Sequence, residues 1–119
     1  MALREPTLYT LAALRDGPMH GYAVITKVRE LSGGRLELTA GTLYGALDRL
    51  VDQSLVEIDR EEVVEGRRRR YHRLTDAGHA AVAEDLARLR ATVDALDRPA
   101  AKAPSTRAGM ADAGLGATA

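Results

Sequence analysis

Cysteine, tryptophan and phenylalanine are all absent from this 119-residue sequence, and tyrosine occurs only four times. Without cysteine there is no disulfide and no thiolate metal site, and a reducing compartment suits the chain. Without the larger aromatics, a core has to be assembled from leucine, valine, isoleucine and alanine. An excess of one charge is missing too, since Lys+Arg and Asp+Glu both number 17. A nucleic-acid partner would have to be met by local clustering of charge, not by a net field. No apolar run approaches the roughly 20 residues that cross a bilayer. The opening MALREPTLYT lacks the basic-then-apolar layout of a secretory signal. Together these absences predict a soluble, cytoplasmic protein with no membrane partner.

Catalytic signals are missing as well. The three histidines, His20, His72 and His79, are scattered. His20 follows a turn, His72 sits among arginines that disfavour a cation, and His79 has no partner at i+4. There is no His–carboxylate cluster, no nucleophile–base pairing and no glycine-rich phosphate loop. No metal, no cofactor and no enzymatic activity are expected.

What is present is periodicity. PTLYTLAALRDGP spaces Leu8, Leu11 and Leu14 for a helix, with Pro6 in the first turn and Gly17-Pro18 as a stop. MHGYAVITKVRELSGG repeats the pattern through Tyr22, Ile25, Val28 and Leu31, closed by Gly33-Gly34. RLEL at 35–38 alternates and suggests a brief strand. TAGTLYGALDRLVDQSL predicts a third helix with Thr39 as N-cap and Leu43, Leu47, Leu50 and Val51 on one face. VEIDRE and RRYHRLT then read as two strands joined through VVEGR, with Gly66 supplying the turn. Thr75-Asp76 caps a fourth helix running to about Asp97. From Pro99 the sequence is rich in Gly, Ala and Pro without period, as in a disordered tail. The expected fold is mostly α with a small β-hairpin. It comprises a winged helix-turn-helix DNA-binding domain over 1–74, a C-terminal dimerisation helix over 75–98 and a tail over 99–119.

In the third helix, the face opposite the leucines carries Gly41, Thr42, Gly45, Asp48, Arg49 and Asp52, with Tyr44 at its border. Two outward glycines cost a helix roughly 1 kcal/mol each against alanine. Both fall in the first two turns, the part of a reading helix that approaches base edges. Small residues there let the backbone come close to DNA, while Thr42 and Arg49 offer donors. The plainer alternative is that Gly41 eases a tight entry and Gly45 is merely tolerated.

The run EGRRRRYHRLT concentrates Arg67, Arg68, Arg69 and Arg70 directly after the Gly66 turn. On a strand, Arg67 and Arg69 share one face and Arg68 and Arg70 the other. At the tip of a wing such arginines suit phosphate, because the guanidinium fork stays charged and binds two oxygens. Against this, Glu57, Asp59, Glu61, Glu62 and Glu65 precede the run and could pair with it across the hairpin.

HGYAVITKVRELSGG, TAGTLYGALDRL and EGRRRRYHRLTDAG, in this order and spacing, resemble the PadR family of bacterial transcriptional regulators over about residues 3–96. The resemblance implies a dimeric winged-helix repressor that binds a palindromic operator in double-stranded DNA and is released by a small-molecule effector. The single C-terminal helix is similar to the small PadR subgroup. Ala40 stands where the family often has proline before GTLY, a change expected to alter little.

In the fourth helix, Val82, Leu86, Leu89, Val93 and Leu96 are spaced 4, 3, 4, 3, a heptad-like stripe. Packing on the first helix accounts for its proximal half as well as a homodimer seam does. Dimerisation accounts better for Leu89, Val93 and Leu96. With no Trp or Phe, an effector held between aromatic rings has little to stack on. Tyr9 is the one aromatic near such a site, and it reads as core. A protein–protein module without DNA binding is the competing class, and it has no need of four exposed arginines.

Overall fold

The computed structural model describes residues 2–99. Beyond Pro99, the tail expected from the composition lies outside the described residues. In chain order the elements are α1 (Glu5–Ala13), β1 (Met19–His20), α2 (Gly21–Leu31), α3 (Ala40–Asp52), β2 (Val56–Val64), β3 (Arg67–Leu74) and α4 (Asp76–Asp97). Two compact units divide at residues 88 and 89, within α4.

The first unit is a helical core with a three-stranded antiparallel sheet in the order β1-β3-β2. Pro6 starts α1, where its missing N–H costs no hydrogen bond. Leu11, Leu14, Val24, Val28, Leu43, Leu47, Val56 and Val82 are essentially inaccessible, and each such side chain contributes about 2 kcal/mol through burial. This is the aliphatic core that the composition demanded.

Two local expectations need correction. The buried face of α2 is Gly21, Val24 and Val28, whereas Tyr22 and Leu31 are 62% and 41% exposed. The apolar stripe through Tyr22, Ile25, Val28 and Leu31 is therefore offset from the face that packs. Residues 35–38 form no strand. Leu36 and Leu38 do turn toward the core, but the Leu36 N–H donates to Ser32 Oγ at 2.9 Å rather than to a neighbouring strand. Arg35 reaches out to Glu5 at 2.8 Å. The alternation was a burial pattern without a ladder.

Thr39 caps α3 as expected, its Oγ1 accepting the Thr42 N–H at 3.2 Å. At the far end, Ser54 lies at φ 63°, the Leu55 N–H donates to the Leu50 carbonyl and the Ser54 N–H to that of Val51. Those two bonds make a Schellman closure with serine where glycine is usual. The hairpin then turns through Glu65 (φ 51°) and Gly66 (φ 77°), the pair of positive φ values that matches the twist of a two-residue hairpin. A bulge between Ile58 and Arg60 leaves Asp59 outside the Cα register with β3.

Thr75 fastens the start of α4 to the turn between α3 and β2. Its hydroxyl donates to the Ser54 carbonyl at 2.6 Å and accepts the Gly78 N–H at 3.0 Å. Val82 is buried in the chain's own core and Leu86 packs against it. Val82 is thus part of the chain's own core. Asp85, unremarked in the sequence, is also buried. Its Oδ1 accepts from the Leu3 N–H at 3.4 Å and from Arg88 Nε at 3.1 Å.

The second unit begins at Leu89. Its described part is the last turns of α4 followed by Arg98 and Pro99, and every side chain there is exposed. Leu89, Val93 and Leu96 are 36%, 56% and 81% accessible. Among the described residues, no helix is long and apolar enough to cross a membrane.

Candidate nucleic-acid interface

The outward face of α3 follows from the leucines that it buries. With Leu43, Leu47 and Leu50 inside, Thr39, Gly41, Thr42 and Arg49 are exposed, Gly45 is half-buried, and Tyr44 is 42% accessible. The Thr39 hydroxyl donates to Thr42 Oγ1 at 3.0 Å, which orients the Thr42 hydroxyl and leaves its own proton available. A Cβ at Gly41 would meet nothing within 4 Å, and one at Gly45 would meet only Arg49 Nη1 at 3.7 Å. Neither glycine has a positive φ. Nothing inside the described chain calls for glycine at either position.

The wing brings the arginines to the same side. Registry pairs Val64 with Arg67, Val63 with Arg68, Glu62 with Arg69 and Glu61 with Arg70. Alternation then puts Arg68 and Arg70 on the face of buried His72 and Leu74, and Arg67 and Arg69 on the face of Tyr71. Both readings of the arginine run find something in this geometry. Arg70 Nε lies 3.1 Å from one oxygen of Glu61, and Arg68 Nη1 lies 3.6 Å from the other. One carboxylate thus serves two guanidinium groups, which stay exposed. Among the described residues, Arg67 and Arg69 form no ion pair. Nearer the base of the wing the charges are matched, with Arg73 on Glu57 at 2.7 Å and Arg60 on Asp59 and Glu62 at 2.7 and 2.9 Å. The Arg60 guanidinium also stacks 4.0 Å over the Tyr71 ring. The carboxyl group of Glu62 is held below its ordinary range, chiefly by its hydrogen bond to Arg60.

Strand β1 supplies what sequence reasoning missed. Only two residues long, it pairs Met19 with His72 and His20 with Tyr71, and the His20 ring meets Tyr71 edge-on at 5.5 Å. That pairing carries His20 and Tyr22 to the side of the wing. His20, Tyr22, Tyr44 and Arg67 to Arg70 line one concavity of about 260 Å³. Burial, and then the charge of Arg69, hold the His20 imidazole below its ordinary pKa, so it stays neutral near pH 7. His72 is shifted the same way by burial and then by Arg70, against an opposing pull from Asp48. The concavity is a cationic, partly aromatic cradle of the kind that accepts phosphate oxygens and the flat edges of sugars or bases. Among the described residues, no group of three or more His, Asp or Glu could hold a metal ion.

Comparison with known proteins gives this geometry a family. The chain is 41% identical over 78 residues to the transcriptional regulator Rv3488 of Mycobacterium tuberculosis, covering 66% of this chain and 69% of that protein. It is 40% identical over 92 residues to an uncharacterised 37.1 kDa protein in transposon TN4556 of Streptomyces fradiae. That match covers 75% of this chain but only a quarter (25%) of the transposon protein. Among solved structures, PadR of Bacillus subtilis in complex with operator DNA superposes with a TM-score of 0.62 at 20% identity, over 78% of this chain and 60% of that one. At that identity the superposition establishes the shared fold. The profile of the transcriptional regulator PadR-like family, a family of regulators and not of enzymes, matches residues 10–84, from the middle of α1 into α4. The chain belongs to that family.

Proposed function

We propose that this chain is a transcriptional regulator that binds double-stranded DNA as a homodimer, reading a palindromic operator with α3 and gripping phosphates with the β2–β3 wing. One observation carries the reading: a single concavity joins Tyr44 of α3 to all four wing arginines. The two glycines of α3 support it. They weaken the helix, and a Cβ at either would meet open space or ordinary contact, which leaves room for the close approach of a duplex. The B. subtilis PadR structure, in complex with operator DNA, is the precedent for the fold.

In this reading Thr39 anchors the head of the helix, Gly41 and Gly45 admit the duplex, and Thr42, Tyr44 and Arg49 meet base edges or flanking phosphates. Arg67, Arg68, Arg69 and Arg70 meet phosphates, which position the protein without carrying sequence. The exposed Leu89, Val93 and Leu96 are the proposed dimer seam. Repression, relief by a small-molecule effector and a cytoplasmic setting complete the proposal by family resemblance. Tyr9 is a poor effector platform, since it packs against the core and accepts a hydrogen bond from Arg35 at 3.4 Å.

The test is a gel shift on the DNA upstream of the protein's own coding sequence and on a scrambled duplex, each at three salt concentrations. Expected is preference for one upstream segment, with log affinity falling against log salt by roughly 0.9 for each phosphate engaged. Absence of binding to either duplex at low salt would return the fold to a protein–protein module. That alternative draws its support from Glu61, which already holds two of the four arginines.

A further inference from the structure

Gly21, the first residue of α2, is buried although glycine is a poor helix former. Its φ is not positive, so backbone conformation does not explain it. The Tyr44 side chain does. A Cβ on Gly21 would run into the Tyr44 hydroxyl and stand 2.7 Å from Cζ and 2.9 Å from Cε1. The tip of the Tyr44 ring therefore occupies the place where any other residue 21 would have its side chain. Tyr44 is nonetheless 42% exposed and lines the concavity with the wing arginines. It is a half-open ring whose far end is seated against the backbone of a different helix.

From this we infer that Gly21 is a specificity-determining positioning residue: by leaving its Cβ space vacant it seats the Tyr44 ring and thereby sets how α3 presents itself to DNA. The inference rests on the DNA-binding reading above. A seated aromatic ring has little rotamer freedom left to lose on binding, so the contact it makes is pre-organised. The steric arrangement also separates this glycine from Gly78. A Cβ at Gly78 would strike the Leu55 backbone carbonyl, which cannot give way without disturbing the fold. A Cβ at Gly21 strikes the far end of a side chain, which can swing outward on its two torsions. Gly78 is thus required by the fold, whereas Gly21 is required by the placement of Tyr44. Alanine also suits a helix better than glycine, so substitution at 21 displaces the ring while leaving α2 intact.

The experiment compares the parent, Gly21→Ala, Tyr44→Ala and the double variant. Each is titrated with an operator selected from a random duplex pool and with a scrambled duplex, and each is melted thermally. We expect Gly21→Ala to melt close to the parent, to bind scrambled DNA unchanged and to bind operator about tenfold more weakly, the scale of one lost base-reading contact. In the Tyr44→Ala background the same change should have no further effect, because the ring it acts through is gone. Undiminished operator affinity in Gly21→Ala overturns the inference. So does equal weakening on both duplexes, an effect that persists without Tyr44, or a Gly21→Ala variant that unfolds. A parent that binds no DNA at all overturns the DNA-binding reading and this inference with it. A parent that binds operator beside an unaffected variant removes the role of Gly21 alone.

Discussion

Single residues carry unequal loads in this fold, and the glycines make that measurable. Gly78 sits in the first turn of α4, where its N–H meets Thr75 Oγ1 at 3.0 Å and a Cβ would collide with the Leu55 carbonyl. Gly78→Ala should therefore lower stability by about 1–3 kcal/mol, the usual cost of forcing atoms into a packed site, read as an earlier urea midpoint. Gly45→Ala should do the opposite. It meets only Arg49 Nη1 at ordinary contact distance, so the better helix former should stabilise the chain by up to about 1 kcal/mol. His72 adds a pH-dependent load. It is buried, and burial, reinforced by the charge of Arg70, depresses its pKa against opposing pulls from Asp48 and from a backbone hydrogen bond with Arg70. The folded chain therefore resists a proton that the unfolded chain accepts, so stability falls as pH drops below about 6.5 and the loss is complete once the lower, folded pKa is passed. His20 acts in the same direction. Denaturant midpoints measured from pH 7.5 down to 5 should decline in the parent and decline less in His72→Leu.

At the scale of elements, the wing is a contest for charge. Glu61 opposes Arg70 in the register and lies within reach of both Arg70 and Arg68. Replacing it by glutamine releases two guanidinium groups toward phosphate. Glu61→Gln should tighten binding to operator and scrambled DNA alike and steepen the salt dependence by roughly one unit of slope for each phosphate gained. Arg68→Ala with Arg70→Ala should flatten it, and an unchanged slope in both variants would show that the inner face of the wing does not touch DNA. The hairpin was legible beforehand because alternation, a Gly66 turn and a run of like charge are local signals. So were α1, α3 and α4, each marked by a cap or a proline and by leucines in period. Strand β1 was not legible. Its two residues are too few to show a period, and they are a strand only because Tyr71 and His72 of β3, far along the chain, pair with them. The face of α2 was misread for a related reason: Tyr22 looks apolar in a pattern, yet it lies beside the wing arginines in a concavity that only the tertiary fold creates. Residues 35–38 showed the converse, a correct in-and-out rhythm with no neighbouring strand to make a sheet of it.

At the scale of the molecule, the question is what the distal turns of α4 are for. Val82 and Leu86 complete the chain's own core, which uses up the proximal half of the heptad-like stripe. Leu89, Val93 and Leu96 continue the same spacing, yet they are 36%, 56% and 81% exposed. Three large aliphatic side chains at helical spacing, left open to water, are the usual mark of a surface that another copy covers. Antiparallel or parallel, a pair of such stripes would tie two reading helices together, and a palindrome read at half-sites about one helical turn of DNA apart needs that two-fold relation. Leu89→Glu with Val93→Glu places like charges across the proposed seam without touching a residue of the first unit's core. Sedimentation at micromolar concentration should then give a folded monomer where the parent gives a dimer. The monomer's thermal melt should become independent of protein concentration, while the parent's midpoint rises with concentration because association stabilises the folded state by mass action. Operator binding should weaken far more than binding to scrambled DNA, since only the operator offers two half-sites to one linked pair. A parent that sediments as a folded monomer would dissociate the two roles, leaving the exposed stripe on α4 unexplained and obliging each α3 to read its half-site alone.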